Sequence, residues 1–368
     1  MKLQIAKQTL TEALQNVSRA VAAKSPLPAL EGILLQAEQT ELRLSGYDLD
    51  MGITTSVPAD VAEPGAIVLT ARLLVDIIRR LPADTVDLEA DERNMTTIRC
   101  GRSAYSIMGI AAVEFPDMPK PDSSAVLSFP QHLLKNMIAQ TRYAVATSDS
   151  MPVHRGSLFS LEDGVFHLVS VDGCRLALRE EPYAVEEPAR FIVPGKTLSD
   201  LEKILSDDEE AAPVSVYLSP KHIVFEVGSY RILTRLLEGN FLDYRNAIPK
   251  SAKTTVTVGT RPLIEAVERA SLIIEDRLKN PLTCKFSDNS IQISAVTAMG
   301  HAEDSVDCAI TGDPVEIGFN SGFLLEALKN ADCDQVSIQL SGPLSPMKML
   351  PAEGSHFTFL VLPVRIRS

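Results

Sequence analysis

One pattern recurs three times along this 368-residue chain, and a chain built that way folds as a row of like modules. Each copy opens with a short amphipathic helix. In AKQTLTEALQNVSRAV, from Ala6, the apolar positions Leu10, Leu14, Val17 and Val21 keep helical spacing. In FPQHLLKNMIAQTRYAVA, from Phe129, Leu134, Ile138 and Val145 hold the same phase, and in GTRPLIEAVERASLII, from Gly259, so do Leu263, Val267, Ala270 and Ile274. Leu14 and Ile138 are 124 positions apart, and Ile138 and Val267 are 129 apart.

The downstream landmarks keep this register. Gly32 and Gly156, 124 apart, each open a pair of β-type runs around a polar turn, and Pro281, 125 further on, precedes a third pair. The turns are Glu38-Gln39-Thr40, Glu162-Asp163-Gly164 and Ser287-Asp288-Asn289, which is hairpin chemistry. A second helix follows a short strand at Ala66, Arg190 and Val315, and each copy closes on an aromatic strand marked by Tyr105, Tyr230 or Phe357.

Two proline-bearing stretches, FPDMPKPDSSA from Phe115 and IPKSAKT from Ile248, punctuate the copies. The expected modules are 1–122, 126–249 and 253–368. Each is α+β, two helices on a β-sheet, with neighbouring sheets continuing one another. Three modules make an arc, and if that arc subtends half a circle a two-fold dimer closes it into a ring, which also removes exposed sheet edges.

A net charge of −13 speaks against a nucleic-acid partner, but its distribution speaks otherwise. The helical windows 6–24, 71–82 and 129–146 carry +2 each, and 195–206, 259–274 and 320–331 are neutral. The helices therefore hold +6 and the rest of the chain −19. A basic helical surface inside an acidic shell suits phosphate tracking; solvated lysines and arginines on ordinary helix faces are the plainer alternative. With no aromatic platform or recognition helix, base readout is not expected.

No constellation demands chemistry. The six histidines show no metal spacing, and the phosphate-loop, dinucleotide and nucleophile-elbow motifs are missing. Asp48, Asp50 and Asp172 form the one carboxylate set a hydrolase could use, yet turn capping explains them better. No catalytic residue, cofactor or metal is expected. No apolar run approaches the length of a membrane span, Lys7 interrupts any signal-peptide core, and five scattered cysteines fit reduced thiols, so a cytoplasmic protein is expected. A repeat-built scaffold that binds proteins but no DNA is the other non-enzymatic reading.

Several segments carry a resemblance: Leu27-Pro28-Ala29-Leu30-Glu31-Gly32, Gly101-Arg102-Ser103, Glu114-Phe115-Pro116-Asp117, Val171-Asp172-Gly173-Cys174-Arg175-Leu176-Ala177, Gly239-Asn240-Phe241-Leu242-Asp243-Tyr244-Arg245 and the tail Leu362-Pro363-Val364-Arg365. With them the chain resembles, along its whole length, the bacterial DNA polymerase III beta subunit family, the sliding clamps. The resemblance implies a non-catalytic, head-to-tail homodimeric ring, its helices lining the hole, that encircles duplex DNA without sequence preference. It implies as partners a clamp loader, replicative and translesion polymerases, and mismatch-repair and other motif-bearing proteins.

It also implies a peptide cleft made by Gly173, Arg175, Leu176, Leu242, Asn320, Phe323, Leu344, Val361, Leu362, Pro363, Val364 and Arg365. Without the family, Leu362-Pro363-Val364 reads as a terminal core strand. The dimer contact carried over in the same way sets Tyr105 and Ile107 of one subunit against Leu272 and Ile273 of the other. The DNA-facing candidates are Lys24, which matches a basic family position, and Arg72, Arg79, Arg80, Lys135, Arg142, Lys196 and Lys203, which rest mainly on the helix charge. The chain departs from the family pattern at Cys174, where His is frequent, at Leu242, where Pro is common, at His154, where an apolar residue is usual, and in the extra Arg367 and Ser368. These departures bear on peptide preference.

Overall fold

The computed structural model describes residues 1–82, 84–121, 125–148, 151–184, 187–275 and 280–366. The first repeat runs β1 (Lys2–Ala6), α1 (Lys7–Val17), β2 (Gly32–Glu38), β3 (Glu41–Tyr47), β4 (Met51–Pro58), β5 (Asp60–Glu63), β6 (Gly65–Thr70), α2 (Ala71–Arg80), β7 (Thr85–Ala90), β8 (Met95–Cys100), β9 (Ser103–Met108) and β10 (Ile110–Ala111). The second runs β11 (Ala125–Phe129), α3 (Gln131–Arg142), β12 (Gly156–Glu162), β13 (Val165–Val171), β14 (Arg175–Pro182), β15 (Ala189–Pro194), α4 (Gly195–Glu202), β16 (Val214–Leu218), β17 (His222–Val227), β18 (Tyr230–Arg235) and α5 (Tyr244–Ala247). The third runs β19 (Thr254–Gly259), α6 (Thr260–Ser271), β20 (Leu282–Ser287), β21 (Ser290–Thr297), β22 (Gly300–Asp307), β23 (Ala309–Gly312), β24 (Val315–Phe319), α7 (Ser321–Lys329), β25 (Gln335–Leu340), β26 (Met347–Pro351) and β27 (Phe357–Val361).

The hairpin turns form where the polar triplets stand. Gln39, Asp163, Asp288 and Asn289 take positive φ of 51°, 54°, 51° and 57°, the left-handed backbone that joins two-residue hairpins. α1 buries Leu10, Ala13, Leu14 and Val17, and α6 buries Leu263, Ala266, Val267 and Ala270, the stripes their spacing predicts. The helices are shorter than the charge windows. α1 gives way to a 3-10 turn at Ser18–Ala20, and Val21 is extended ahead of Pro26 and Pro28, so Lys24 stands on a loop. Lys203 likewise follows the end of α4 at Glu202. Two of the eight candidate DNA-facing residues therefore lie off the helices.

The sheets continue from one repeat into the next. β4 pairs antiparallel with β18, giving the order β10-β6-β2-β3-β4-β18-β17-β16-β11, and β14 pairs with β27, giving β15-β12-β13-β14-β27-β26-β25-β19-β23. Two smaller sheets remain, β5-β1-β7-β8-β9 and β22-β21-β20-β24. Because of this sharing, the chain divides into two compact units rather than three. One is 1–135 with 200–236, and the other is 136–199 with 237–368. In the first, α1 packs on α2 and β4; in the second, α6 packs on α7 and β22. Among the described residues no helix is long and apolar enough to cross a membrane.

Candidate functional site

The residues assigned to the cleft all fall in the second unit, with Arg175 and the start of the tail paired at the beginning of β14. The turn before it is held by Asp172, whose Oδ1 accepts from the Cys174 and Arg175 backbone N–H groups at 2.9 and 3.0 Å. Asp48 does the same before β4, accepting from Asp50 and Met51 at 3.1 and 2.7 Å. These carboxylates cap turns, which removes the reason for reading them as a hydrolase pair. Gly173 sits at φ +89°, backbone that a side chain rarely adopts.

Arg175 is the centre of the cluster. It is 9% exposed; its Nε donates to Asp172 Oδ2 at 2.8 Å, and its Nη1 pairs with Glu326 of α7. The guanidinium lies 4.4 Å from the Phe323 ring centroid and 5.5 Å from that of Tyr143. Burial pulls the Arg175 pKa down, but the two carboxylates outweigh it and hold the charge more firmly than usual. Burial raises the Tyr143 phenol well above its ordinary value, with Arg175 opposing. Asn320 caps α7 by accepting from the Phe323 N–H at 3.1 Å, which fixes the ring under Arg175.

The tail closes one side. Val361 ends β27, fully buried and paired with Arg175. Beyond it the Leu362 N–H donates to the Cys174 carbonyl at 2.9 Å and the Val364 N–H to the Gly318 carbonyl at 2.8 Å. Leu362 and Val364 stay 39% and 37% exposed, so the core strand stops at Val361 and the next residues form an open apolar rim. The floor is a buried cluster that includes Leu176, Leu178, Leu360, Phe241 and Tyr244. Arg245 pins the chain over it, donating to Glu162 at 2.7 Å and lying 5.0 Å from the Tyr244 ring.

Leu242 is 42% exposed beside Phe241, Leu344 is 77% exposed on the β25–β26 loop, and Arg365 is exposed; no contact described above reaches Leu344. Asp172, Glu326 and Tyr143 belong to the cluster but not to the sequence-derived set. Asp172 is the i,i+3 neighbour of Arg175, whereas Glu326 of α7 and Tyr143, just after α3, join it through an ion pair and a ring contact that no local spacing encodes. Arg367 and Ser368 lie outside the described residues.

His154 is buried in the turn before β12, its ring 5.4 Å from Phe241. Burial lowers its pKa, while Asp172 pulls it up. The unfolded chain thus takes the proton more readily, and stability present above about pH 6.5 is lost as pH falls below it. His154→Phe is expected to shrink the drop in urea midpoint between about pH 7.5 and 5.5; an equal drop in the variant refutes this.

Most of the remaining candidates lie at the surface, and Lys135 is half-buried. On α2, Arg72, Arg79 and Arg80 are exposed, with Arg79 3.3 Å from Asp76. Lys135 pairs with Asp207 at 2.5 Å and Lys203 with Asp200 at 3.3 Å; Lys24, Arg142 and Lys196 are exposed. Tyr105 and Leu272 are 41% and 84% exposed, and Ile107 and Ile273 are half-buried. β9 and β22 each end a sheet among the described residues. No group of three or more metal-ligating side chains occurs among those residues.

Three repeats whose sheets continue from one into the next define the DNA-clamp class of fold. Comparison with known proteins makes the family plain. Residues 1–119, 128–243 and 245–365 match the N-terminal, central and C-terminal domain models of the DNA polymerase III beta subunit. The chain belongs to that family. It is 30% identical to the beta sliding clamp of Bacillus subtilis over 99% of this chain and 100% of that one. The crystal structure of the Bacillus subtilis sliding clamp superposes with a TM-score of 0.94 over 100% of both chains. The Pseudomonas aeruginosa clamp bound to griselimycin, 28% identical, gives 0.93, again over 100% of both chains.

Proposed function

We propose that this chain is a sliding clamp that encircles duplex DNA, without sequence preference, and tethers a DNA polymerase for processive synthesis. The strand pairing between repeats carries the reading. β4 of the first repeat pairs with β18 of the second, and β14 of the second with β27 of the third. The third repeat's counterpart of β4 and β14 is β22, and the first repeat's counterpart of β18 and β27 is β9. Both end their sheets, so the pairing that joins repeats inside the chain is left open for a second copy, head to tail. Two copies joined at both ends close a ring of six modules, each chain contributing 1–122, 126–249 and 253–368.

The basic residues Lys24, Arg72, Arg79, Arg80, Lys135, Arg142, Lys196 and Lys203 then meet phosphates weakly enough to slide, while enclosure prevents loss. Holding a polymerase at the primer end raises its effective concentration there. The Arg175–Leu362 cluster takes an extended peptide from replicative and translesion polymerases, mismatch-repair proteins and the clamp loader, an apolar floor with few polar anchors suiting such a ligand. The setting is the bacterial cytoplasm.

The test is retention on nicked circular DNA loaded with a bacterial clamp loader and ATP. Release on linearising the circle is expected. Equal retention on both forms means ordinary binding and sinks the ring; no retention with a matched loader favours the scaffold.

A further inference from the structure

The first repeat carries its own version of the central pocket, the apolar floor of Leu158, Leu176, Leu178 and Leu360 under Phe241 in the second repeat, with different chemistry. In the second repeat a cross-strand row runs Leu158–Val169–Leu178–Thr358 over β12, β13, β14 and β27. The same row in the first repeat, over β2, β3, β4 and β18, reads Leu34–Ser45–Thr54–Arg231. One row further, Leu176 facing Leu360 becomes Gly52 facing Leu233, and the neighbouring His167 becomes Arg43. The overlying segments correspond as well. Phe115 and Phe241 are equally buried, at 8%, and Met118 stands where Tyr244 does.

These residues enclose a cavity of about 470 Å³, lined along this row and by Phe115, Met118 and Lys120. Gly52 makes room for the overlying segment: a Cβ there would meet Met118 Sδ at 2.5 Å. The floor is polar although it is buried. Ser45 and Thr54 are 2% and 8% exposed, their hydroxyls 3.3 Å apart. Three cations, Arg43, Lys120 and Arg231, line the cavity against a single carboxylate, Asp117. Arg231 bonds Glu226 at 3.3 Å at the surface, a contact an incoming carboxylate can exchange with.

We propose that this cavity is a second docking site, taking a short acidic segment of a partner protein. An apolar side chain seats against Met118 and Leu233, and flanking carboxylates meet Arg43, Lys120 and Arg231. That the occupant is a peptide rests on reading the central pocket as a peptide cleft; that it is acidic rests on the lining itself. The apolar-to-polar exchange along one row separates the clients of the two sites.

The probe is a dye-labelled peptide, Asp-Glu-Leu-Phe-Asp-Glu, read by fluorescence anisotropy on the full-length protein. Arg43→Ala with Arg231→Ala, both exposed and so tolerated by the fold, is expected to raise its Kd at least tenfold. The amide counterpart Asn-Gln-Leu-Phe-Asn-Gln is expected to bind at least tenfold more weakly than the acidic peptide. Equal binding by the double variant, equal binding of the amide peptide, or displacement by millimolar pyrophosphate alone overturns the proposal, the last because the site then takes small anions. Loss in Leu362→Ala with none in the arginine variant places the peptide in the central pocket and also overturns it. A polymerase tail peptide that needs Leu362 but not Arg43 or Arg231 keeps the central reading intact whatever the acidic peptide does.

Discussion

Leu272→Asp is expected to leave a folded chain that sediments as a monomer and is no longer retained on circular DNA. Leu272 follows α6 and is 84% exposed, so the isolated chain loses nothing in folding when it changes. Its role comes from the pairing rule between repeats. Tyr230 of β18 faces Thr55 of β4, and Phe357 of β27 faces Arg179 of β14. Carried one repeat on, the same rule would set Tyr105 of β9 against Asp304 of β22 in a second copy, and Ile107 against Ala302. Leu272 and Ile273 would then be the apolar surface that Tyr105 and Ile107 cover, as proposed for the dimer contact. Burying one leucine is worth about 2 kcal/mol, and leaving a desolvated carboxylate in its place adds several kcal/mol of penalty. Even a loss of about 3 kcal/mol, less than that sum, weakens a contact roughly 100-fold, and a ring contains the contact twice. Sedimentation velocity at micromolar protein reads the result, with the unfolding midpoint as control. A variant that still sediments as a dimer removes Leu272 from the interface.

The parts of this architecture legible in the sequence are those written in local spacing. Leu10, Leu14 and Val17 announce a helix because a helix buries one stripe, and Asp163-Gly164 announces a hairpin because few residue pairs accept positive φ in succession. The three-fold register is legible because equivalent positions recur near every 124 residues. What local spacing cannot show is which strands pair across repeats. Thr55 meets Tyr230 through a partner choice made 175 residues away, and that choice turns three modules into two compact units. The site follows the same division. Leu362 and Gly173 were reachable through motif resemblance, whereas the Glu326 carboxylate and the Tyr143 ring join Arg175 only after three elements have packed. The helix ends were overrun for a local reason: Val21 continues the apolar phase, but the prolines after it end the helix before Lys24.

Leu362→Ala combined with Arg365→Ala is expected to weaken binding of a polymerase tail peptide by at least about 30-fold, roughly 2 kcal/mol, with the dimer unchanged. The backbone at this point is held independently of either side chain, since the Leu362 N–H bonds the Cys174 carbonyl and the Val364 N–H bonds that of Gly318. Truncation therefore removes apolar rim and charge without moving the strand. Arg175 is a poorer probe. Its loss leaves Asp172 and Glu326 facing no cation in a partly buried cluster, costing about 3 kcal/mol of stability and confounding any change in affinity. The geometry also bears on Cys174, where the family resemblance leads to an expectation of histidine. What this residue gives the tail is its carbonyl, and a carbonyl is indifferent to the side chain. The exchange thus leaves the Leu362 anchor in place and alters only what the exposed thiol offers an incoming peptide. Isothermal titration of the tail peptide against wild type and the double variant decides the matter. Equal affinities mean that the exposed apolar residues past Val361 are not where the peptide sits.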